Sequence, residues 1–568
     1  MNLRKNEGAI LNIENLTISN SRGKELVSHV SITVELGQVV ALVGESGSGK
    51  SLSAASIIKL LPKTLINKIG KIYFCTDQQT VEINSLSEKE LCRIRGKEIG
   101  FVFQEPMSSL NPVMKCGEQV REVFQIHKIA TPKGQVDKVY DLFKEVGLND
   151  TVRIYNSYPH QLSGGQKQRV MIAMAIAGEP KLLIADEPTT ALDSTVQLKI
   201  IQLLDDLRRK RNMSILFVSH DLNLVKGFAD KVYVMRSAKI VESGPTDELF
   251  NKPKDIYTKS LLSCRPSLSK KLTRLPELKD FENPESNSIF KDSIISDGDL
   301  NKKIAGYSAL QPLLEVSQLN VQFPKKSAWF KKKAFNKVVS DVSFKIFPGE
   351  VLALVGESGS GKSTIGRAIV NLLDQKSGTI KFQNQRIDDL NPSDFRHFRK
   401  QIQLIFQDPF ASLNPRMKIG EAIAEAMSVH KIYPTKAQTK TAVNRLLEDV
   451  GLNPSDFEKY PHQFSGGQRQ RISIARSLAV NPQLLICDEC VSALDVNVQA
   501  QILNLLIDLK EKFGLTMLFI THDLSVVRFI ADRVVVLSEG KIVEFGSVPD
   551  VYSNPIQDFT KQLLAASL

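Results

Sequence analysis

Short uninterrupted apolar runs recur along the chain, among them Val39-Val-Ala-Leu-Val43, Leu182-Leu-Ile-Ala185, Ile215-Leu-Phe-Val218 and Val232-Tyr-Val-Met235. They lack the apolar–polar alternation of a strand with one wet face, so they predict strands covered on both sides, as in a parallel sheet. Helical stretches separate them, for example Thr195 to Arg211 and its counterpart Asn497 to Lys512. Strands alternating with helices predict a doubly wound α/β core. Residues 105–160 and 408–462 read mostly helical and are expected to form inserted subdomains.

The whole pattern is present twice. The segment Gly44-Glu45-Ser46-Gly47-Ser48-Gly49-Lys50-Ser51 returns 312 residues later as Gly356-Glu357-Ser358-Gly359-Ser360-Gly361-Lys362-Ser363. Gln104 and Gln407 are 303 apart, whereas Gly164/Gly466, Asp186/Asp488 and His220/His522 are each 302 apart. One long period with a near-constant offset predicts two homologous globular domains, not a solenoid. Matched motifs place them at 10–263 and 312–566. Residues 264–311 mix Ser, Asp, Asn, Lys and Pro with few aromatics, a composition that predicts a flexible linker.

Composition narrows the classes. At 568 residues, 42% hydrophobic and 24% charged, the chain has room for two full cores. No run approaches the roughly eighteen apolar residues of a membrane span, and Met1 to Ile10 holds no signal-peptide core, so a cytoplasmic protein is expected. Six cysteines in so long a chain do not make a disulfide framework. Cys487 and Cys490 form a Cys-x-x-Cys, open to reading as a redox pair or half a metal site, but Cys487 ends an apolar strand and no second pair follows; small buried thiols are the favoured reading. The net charge of +12 admits an anionic partner without choosing one. The dense basic run Lys325 to Lys333, with Trp329 and Phe330, suits a lipid or membrane-protein interface, and equally a solvated loop, the favoured reading.

Each Gly-rich loop follows a strand and opens a helix, the context in which backbone N–H groups and the helix dipole cradle phosphates. Lys50 and Lys362 are expected to reach the β- and γ-phosphates, and the Ser51 and Ser363 hydroxyls to ligate Mg²⁺. The strands Leu182 to Ala185 and Leu484 to Cys487 end in Asp186-Glu187 and Asp488-Glu489. Asp186 and Asp488 are assigned to Mg²⁺, and Glu187 and Glu489 to orienting or deprotonating the attacking water. Ser163-Gly164-Gly165-Gln166 and Ser465-Gly466-Gly467-Gln468 precede helices, so Ser163 and Ser465 are expected N-caps whose turns offer N–H donors to phosphate.

The ordered set of phosphate loop, Gln, Ser-Gly-Gly-Gln, Asp-Glu, Ala-Leu-Asp and His resembles the ATPase domain of ATP-binding cassette proteins, over nearly all the chain except the linker. The resemblance implies two tandem P-loop NTPase domains of α/β class, each with a parallel-sheet core, a β subdomain and an inserted helical subdomain. It implies that Gln104 and Gln407 sense Mg²⁺, the water and the membrane partner, that His220 and His522 contact the γ-phosphate, and that Asp193 and Asp495 communicate between sites. It further implies a head-to-tail pairing of the halves closed by ATP, with Ser465 to Gln468 completing site one and Ser163 to Gln166 site two. Phe323, at the end of Leu319-Asn-Val-Gln-Phe323, is placed to stack on adenine; the first half has Asn20 there, and weaker adenine binding is expected at its site. Cys490 stands where the first half has Pro188, with no catalytic consequence.

Longer phrases, Phe101-Val-Phe-Gln-Glu-Pro-Met-Ser-Ser-Leu-Asn-Pro112, Tyr158-Pro-His-Gln-Leu-Ser-Gly-Gly-Gln166 and Val491-Ser-Ala-Leu-Asp495, resemble the peptide/nickel branch of bacterial importers, in the fused form of Yej-type peptide and glutathione importers. Asn251-Lys-Pro-Lys-Asp-Ile-Tyr-Thr258 and Asn554-Pro-Ile-Gln-Asp-Phe-Thr560 fit the same branch. The branch implies an ATPase that drives uptake of peptides or a related solute through two integral membrane permease subunits, with a separate extracytoplasmic binding protein and no nucleic acid. It also implies a peripheral position on the cytoplasmic face of the inner membrane. Only Cys264 stands where branch members carry a cysteine cluster, so ATP and Mg²⁺ are expected and no iron-sulfur cluster. The rival class is a soluble twin-cassette ATPase acting on ribosomes or DNA; its long charged helical linker or zinc Cys-x-x-Cys pairs are missing from the sequence.

Overall fold

The computed structural model describes residues 8–76, 79–105, 109–129, 131–190, 192–282, 294–307, 309–324, 335–373, 376–388, 390–391, 393–492 and 494–566. The basic run at 325–333 lies outside them. The chain divides into two compact units, one of Met1–Leu192 with Val196–Ser263 and one of Cys264–Leu568 with Asp193–Thr195.

In the first unit a six-stranded sheet runs in the order Lys239–Pro245, Lys231–Arg236, Val39–Val43, Ser214–Ser219, Leu182–Asp186, Ile99–Val102. The five strands from Lys231–Arg236 onward are parallel, and Lys239–Pro245 closes one edge antiparallel. Every residue of Val39–Val43 and Leu182–Asp186 is buried, which is why these runs show no alternation. A four-stranded antiparallel sheet, in the order Glu25–Glu35, Ala9–Asn20, Leu65–Cys75, Thr80–Glu82, packs into one core with the alternate residues Val40, Leu42, Ile184 and Leu216. The helical insert comprises Cys116–His127, Gln135–Glu145 and Thr151–Asn156, ahead of Gly164–Ile176.

The second unit repeats this plan. Its six-stranded sheet runs Ile402–Ile405, Leu484–Asp488, Thr516–Ile520, Val351–Val355, Arg533–Ser538, Lys541–Ser547, the last strand alone antiparallel. Its antiparallel sheet runs Phe335–Ile346, Leu314–Pro324, Lys376–Phe382, Gln385–Arg386. The helices expected at 195–211 and 497–512 span Ser194–Arg211 and Val496–Phe513. Among the described residues no helix is long and apolar enough to cross a membrane.

The segment 264–311 departs from the expectation of a flexible linker, because its described residues pack into the second unit. Cys264 and Leu275 are fully buried in that unit's core, with Leu268, Leu272 and Phe281 against it. Lys271–Leu272 pairs antiparallel with Ile294–Ile295. Asn504, on Val496–Phe513, accepts the Leu275 N–H at 2.9 Å and donates to Leu275 O and Glu277 Oε1, both at 2.9 Å. Farther on, Tyr307 and Lys303 donate to the buried Asp532 at 3.0 and 2.8 Å. A low average hydrophobicity hid this, since a few apolar anchors are buried and the polar groups between them find partners on the unit they cover.

Candidate active site

In each unit the strand Val39–Val43 or Val351–Val355 runs into the Gly-rich loop, which opens helix Lys50–Ile57 or Lys362–Ile369. The loop passes so close to the neighbouring strand that only glycine fits at its start. A Cβ on Gly44 would lie 2.0 Å from Met235 O, and one on Gly356 2.2 Å from Leu537 O. Lys50, 3% exposed, folds back over the loop and donates to Gly44 O and Glu45 O, each at 2.8 Å. Lys362 does the same with Gly356 O and Glu357 O at 2.8 and 2.9 Å. Burial pushes the Lys362 ammonium below its ordinary value.

The two carboxylates at the end of Leu182–Asp186 face different partners. Ser51 Oγ donates to Asp186 Oδ1 at 2.9 Å, and in the second unit Ser363 Oγ donates to Asp488 Oδ1 at 2.7 Å. Burial pushes the Asp186 carboxyl up to about 6 against the Ser51 hydrogen bond, and burial likewise raises Asp488. Glu187 follows in the left-handed region, φ 46°, and Glu489 at φ 48°. The Glu187 N–H still donates to Val218 O at 3.0 Å, so the backbone finishes the ladder while the side chain turns off it. Such a conformation costs about 1–3 kcal/mol in a non-glycine residue and occurs at functional sites.

Glu187 Oε2 collects three groups: Gln104 Nε2 at 2.9 Å, Thr190 Oγ1 at 3.0 Å and His220 Nδ1 at 3.2 Å. Its Oε1 lies 3.9 Å from Lys50 Nζ. Burial works to raise the Glu187 carboxyl, but His220, Lys50 and Thr190 together hold it down at about 2. The second site is looser. Gln407 Nε2 donates to Glu489 Oε2 at 2.6 Å, but His522 Nδ1 stands 3.6 Å from Glu489 Oε1, and Ser492 donates to Glu489 O instead of the carboxylate. Against burial, His522 and Lys362 hold the Glu489 carboxyl below its ordinary value.

The structure thus brings the loop, Gln, Asp, Glu and His together within each unit. Ser163 and Ser465 are the N-caps of Gly164–Ile176 and Gly466–Leu478, accepting from Gln166 N and Gln468 N at 3.3 and 3.4 Å. Asp193 is buried just ahead of Ser194–Arg211, and Asp495 is the N-cap residue of Val496–Phe513. Phe323 is exposed near the end of Leu314–Pro324. Its first-half counterpart Asn20 is committed to a tight turn, its Oδ1 accepting from Arg22 N and Lys24 N at 3.0 Å each. The sequence reading overlooked Thr190, whose signal was a hydroxyl three residues after each glutamate, matched by Ser492. Cys487 and Cys490 are buried free thiols, and the buried Cys264 thiol is pushed up to about 12 by burial.

The oxygen set Ser51, Asp186 and the Gln104 amide suits a hard cation such as Mg²⁺. The Asp186 carboxyl is raised by burial and by the neighbouring Glu187 charge, more than the Ser51 hydrogen bond and Lys50 lower it, and a bound cation would offset that cost. Ser363, Asp488 and Gln407 repeat the set.

The family described as "ABC transporter" matches residues 27–190 and again 339–492. The chain belongs to the ATP-binding cassette transporter family: it binds ATP and is an ABC-type ATPase. Residues 241–288 match "Oligopeptide/dipeptide transporter, C-terminal region". The chain is 42% identical over 571 residues to the protein named "Glutathione import ATP-binding protein GsiA" of Escherichia coli (strain K12) and to its namesake of Shigella boydii serotype 4, covering 98% of this chain and 89% of theirs. The Salmonella typhimurium protein of the same name is 41% identical over 564 residues, with the same coverage. More particularly, then, the chain is an importer ATP-binding subunit of the oligopeptide/dipeptide group, an ATPase that energises uptake.

Proposed function

We propose that the chain hydrolyses ATP at Gly44–Ser51 and Gly356–Ser363 to drive import of glutathione or another short peptide. It would sit peripherally on the cytoplasmic face of the cell membrane and act through two integral membrane permease subunits, supplied by a separate extracytoplasmic solute-binding protein. The observation that carries this reading is the clustering of Lys50, Gln104 and His220 on Glu187, repeated by Lys362, Gln407 and His522 around Glu489. The cargo class rests on the likeness of the whole chain to proteins named for glutathione import.

On this reading Lys50 and Lys362 exchange loop carbonyls for phosphate oxygens when ATP enters. Ser51, Asp186 and Gln104, and Ser363, Asp488 and Gln407, would hold Mg²⁺, which supplies positive charge against the phosphates. Glu187 and Glu489 orient the water and accept its proton, while His220 and His522 donate to the γ-phosphate. The N–H groups at the capped turns Ser163–Gln166 and Ser465–Gln468 serve as phosphate donors. Phe323 stacks on adenine, and Asp193 and Asp495 relay between sites.

The test is uptake of labelled glutathione and dipeptides by cells lacking the chain. The expectation is rescue by the parent chain and none by Glu187→Gln with Glu489→Gln, with integral membrane subunits co-purifying. Co-purification of ribosomes or DNA in their place, with uptake unaffected, would overturn the proposal.

A further inference from the structure

We infer that Tyr257 is a positioning residue of the first ATP site, bracing its phosphate loop through a hydrogen bond that the second site cannot make. Tyr257 lies on Ile256–Ser263 and is 0% exposed. Its hydroxyl accepts the Glu45 N–H at 2.9 Å. The carbonyl of Glu45 in turn accepts from Lys50 Nζ at 2.8 Å. The residue after the first loop glycine is therefore held through its N–H by a distant phenol and through its C=O by the site's own lysine. When phosphate draws Lys50 away from the loop carbonyls, the Tyr257 bond remains and keeps the loop curved.

The phenol is itself fixed in place. Glu242, on the antiparallel edge strand, accepts from Lys254 N and Asp255 N at 2.8 and 3.0 Å, and Asp255 Oδ1 accepts from Tyr257 N at 2.8 Å. The Arg236 guanidinium sits over the ring, 5.1 Å from its centroid. The second unit keeps the scaffold, with Glu544 accepting from Ile556 N and Gln557 N at 2.8 and 3.1 Å. At the same 302-residue offset, however, Phe559 replaces Tyr257 and Ser538 replaces Arg236. The hydroxyl that reaches the loop is confined to the first site. Tyr257 falls outside the matched ATPase segment 27–190 and inside the matched C-terminal region 241–288, which gives that region a direct contact with the phosphate loop.

The inference rests on the reading of Gly44–Ser51 as a triphosphate site, and its test separates the two. Tyr257→Phe is made in the full chain carrying Lys362→Ala, which silences the second site, and ATP affinity is titrated alongside steady-state KM, kcat and nucleotide-free melting. A lost hydrogen bond to a loop N–H should raise both Kd and KM about five- to tenfold, with kcat changed less than twofold. In a Lys50→Ala background the same substitution should leave second-site affinity unchanged. Unaltered first-site affinity with a lowered melting temperature would show a merely structural tyrosine and overturn the inference, as would equal weakening of both sites. If the Lys362→Ala parent binds no ATP, the reading of the loop itself fails, and the brace with it.

Discussion

Replacing Glu187 by glutamine keeps the side chain's shape and removes its charge, and the surrounding contacts set the outcome. Three groups converge on Oε2, namely Gln104 Nε2, Thr190 Oγ1 and His220 Nδ1, while Lys50 Nζ stands 3.9 Å from Oε1. A glutamine keeps its carbonyl toward those three only by turning its NH₂ toward Lys50. The attraction between two unit charges at that distance is about 4 kcal/mol at an effective dielectric constant of about 20, and it gives way to weak repulsion. Lys50 is then freer to meet a triphosphate, so ATP affinity at the first site should hold or rise. Turnover should fall by the roughly 10²–10⁴-fold that a positioned proton acceptor supplies. The assay pairs equilibrium ATP binding with single-turnover phosphate release, using the full chain with Glu187→Gln and Glu489→Gln to stop both sites. Turnover within twofold of the parent, or ATP affinity falling in step with the rate, would refute the reasoning.

Asn504→Ala leaves the buried Leu275 N–H and C=O without partners, at about 1–3 kcal/mol each. Residues 264–282 should lose hydrogen-exchange protection well before the sheet does, and unchanged protection there would mean that Asn504 does not hold the segment. Phe323→Ala should weaken ATP at the second site by about tenfold through lost stacking, about 1–3 kcal/mol per base. Asn20→Ala should leave first-site affinity alone and lower the melting temperature, because its carbonyl holds a turn. Burial raises the Asp532 carboxyl, but Lys303 and Lys271 pull it below its ordinary value, so its stabilising contribution is full above the unfolded value of about 3.9 and is lost as pH falls through the lower folded value. The urea-denaturation gap between the parent and Asp532→Asn should therefore narrow as pH falls from about 5 to below about 4; a gap that widens over that range would contradict this sign.

The chemistry was legible in the chain because it is written in short contiguous phrases. The spacing of Gly44 to Ser51 and the acid pair after an apolar strand each need only local sequence, since a phosphate loop is a turn between one strand and one helix, and the 302-residue offset needs only those phrases compared along the chain. The packing of the described residues of 264–311 onto the second unit was not legible, for the opposite reason. Leu275 and Tyr307 find Asn504 and Asp532 more than two hundred residues away, and no local window of composition reveals such partners.

By itself the sequence determined two copies of an α/β nucleotide-binding core, the residue types at each site and the family they resemble, because those depend on period and short-range order. Only the tertiary structure decided which carboxylate of each acid pair faces a hydroxyl and which gathers Gln, His and Lys. It also decided that Asn20 closes a turn, and that a tyrosine 212 residues from Glu45 holds the first loop but not the second. Those outcomes depend on where side chains from distant strands converge, a distance set by packing and not by spacing along the chain.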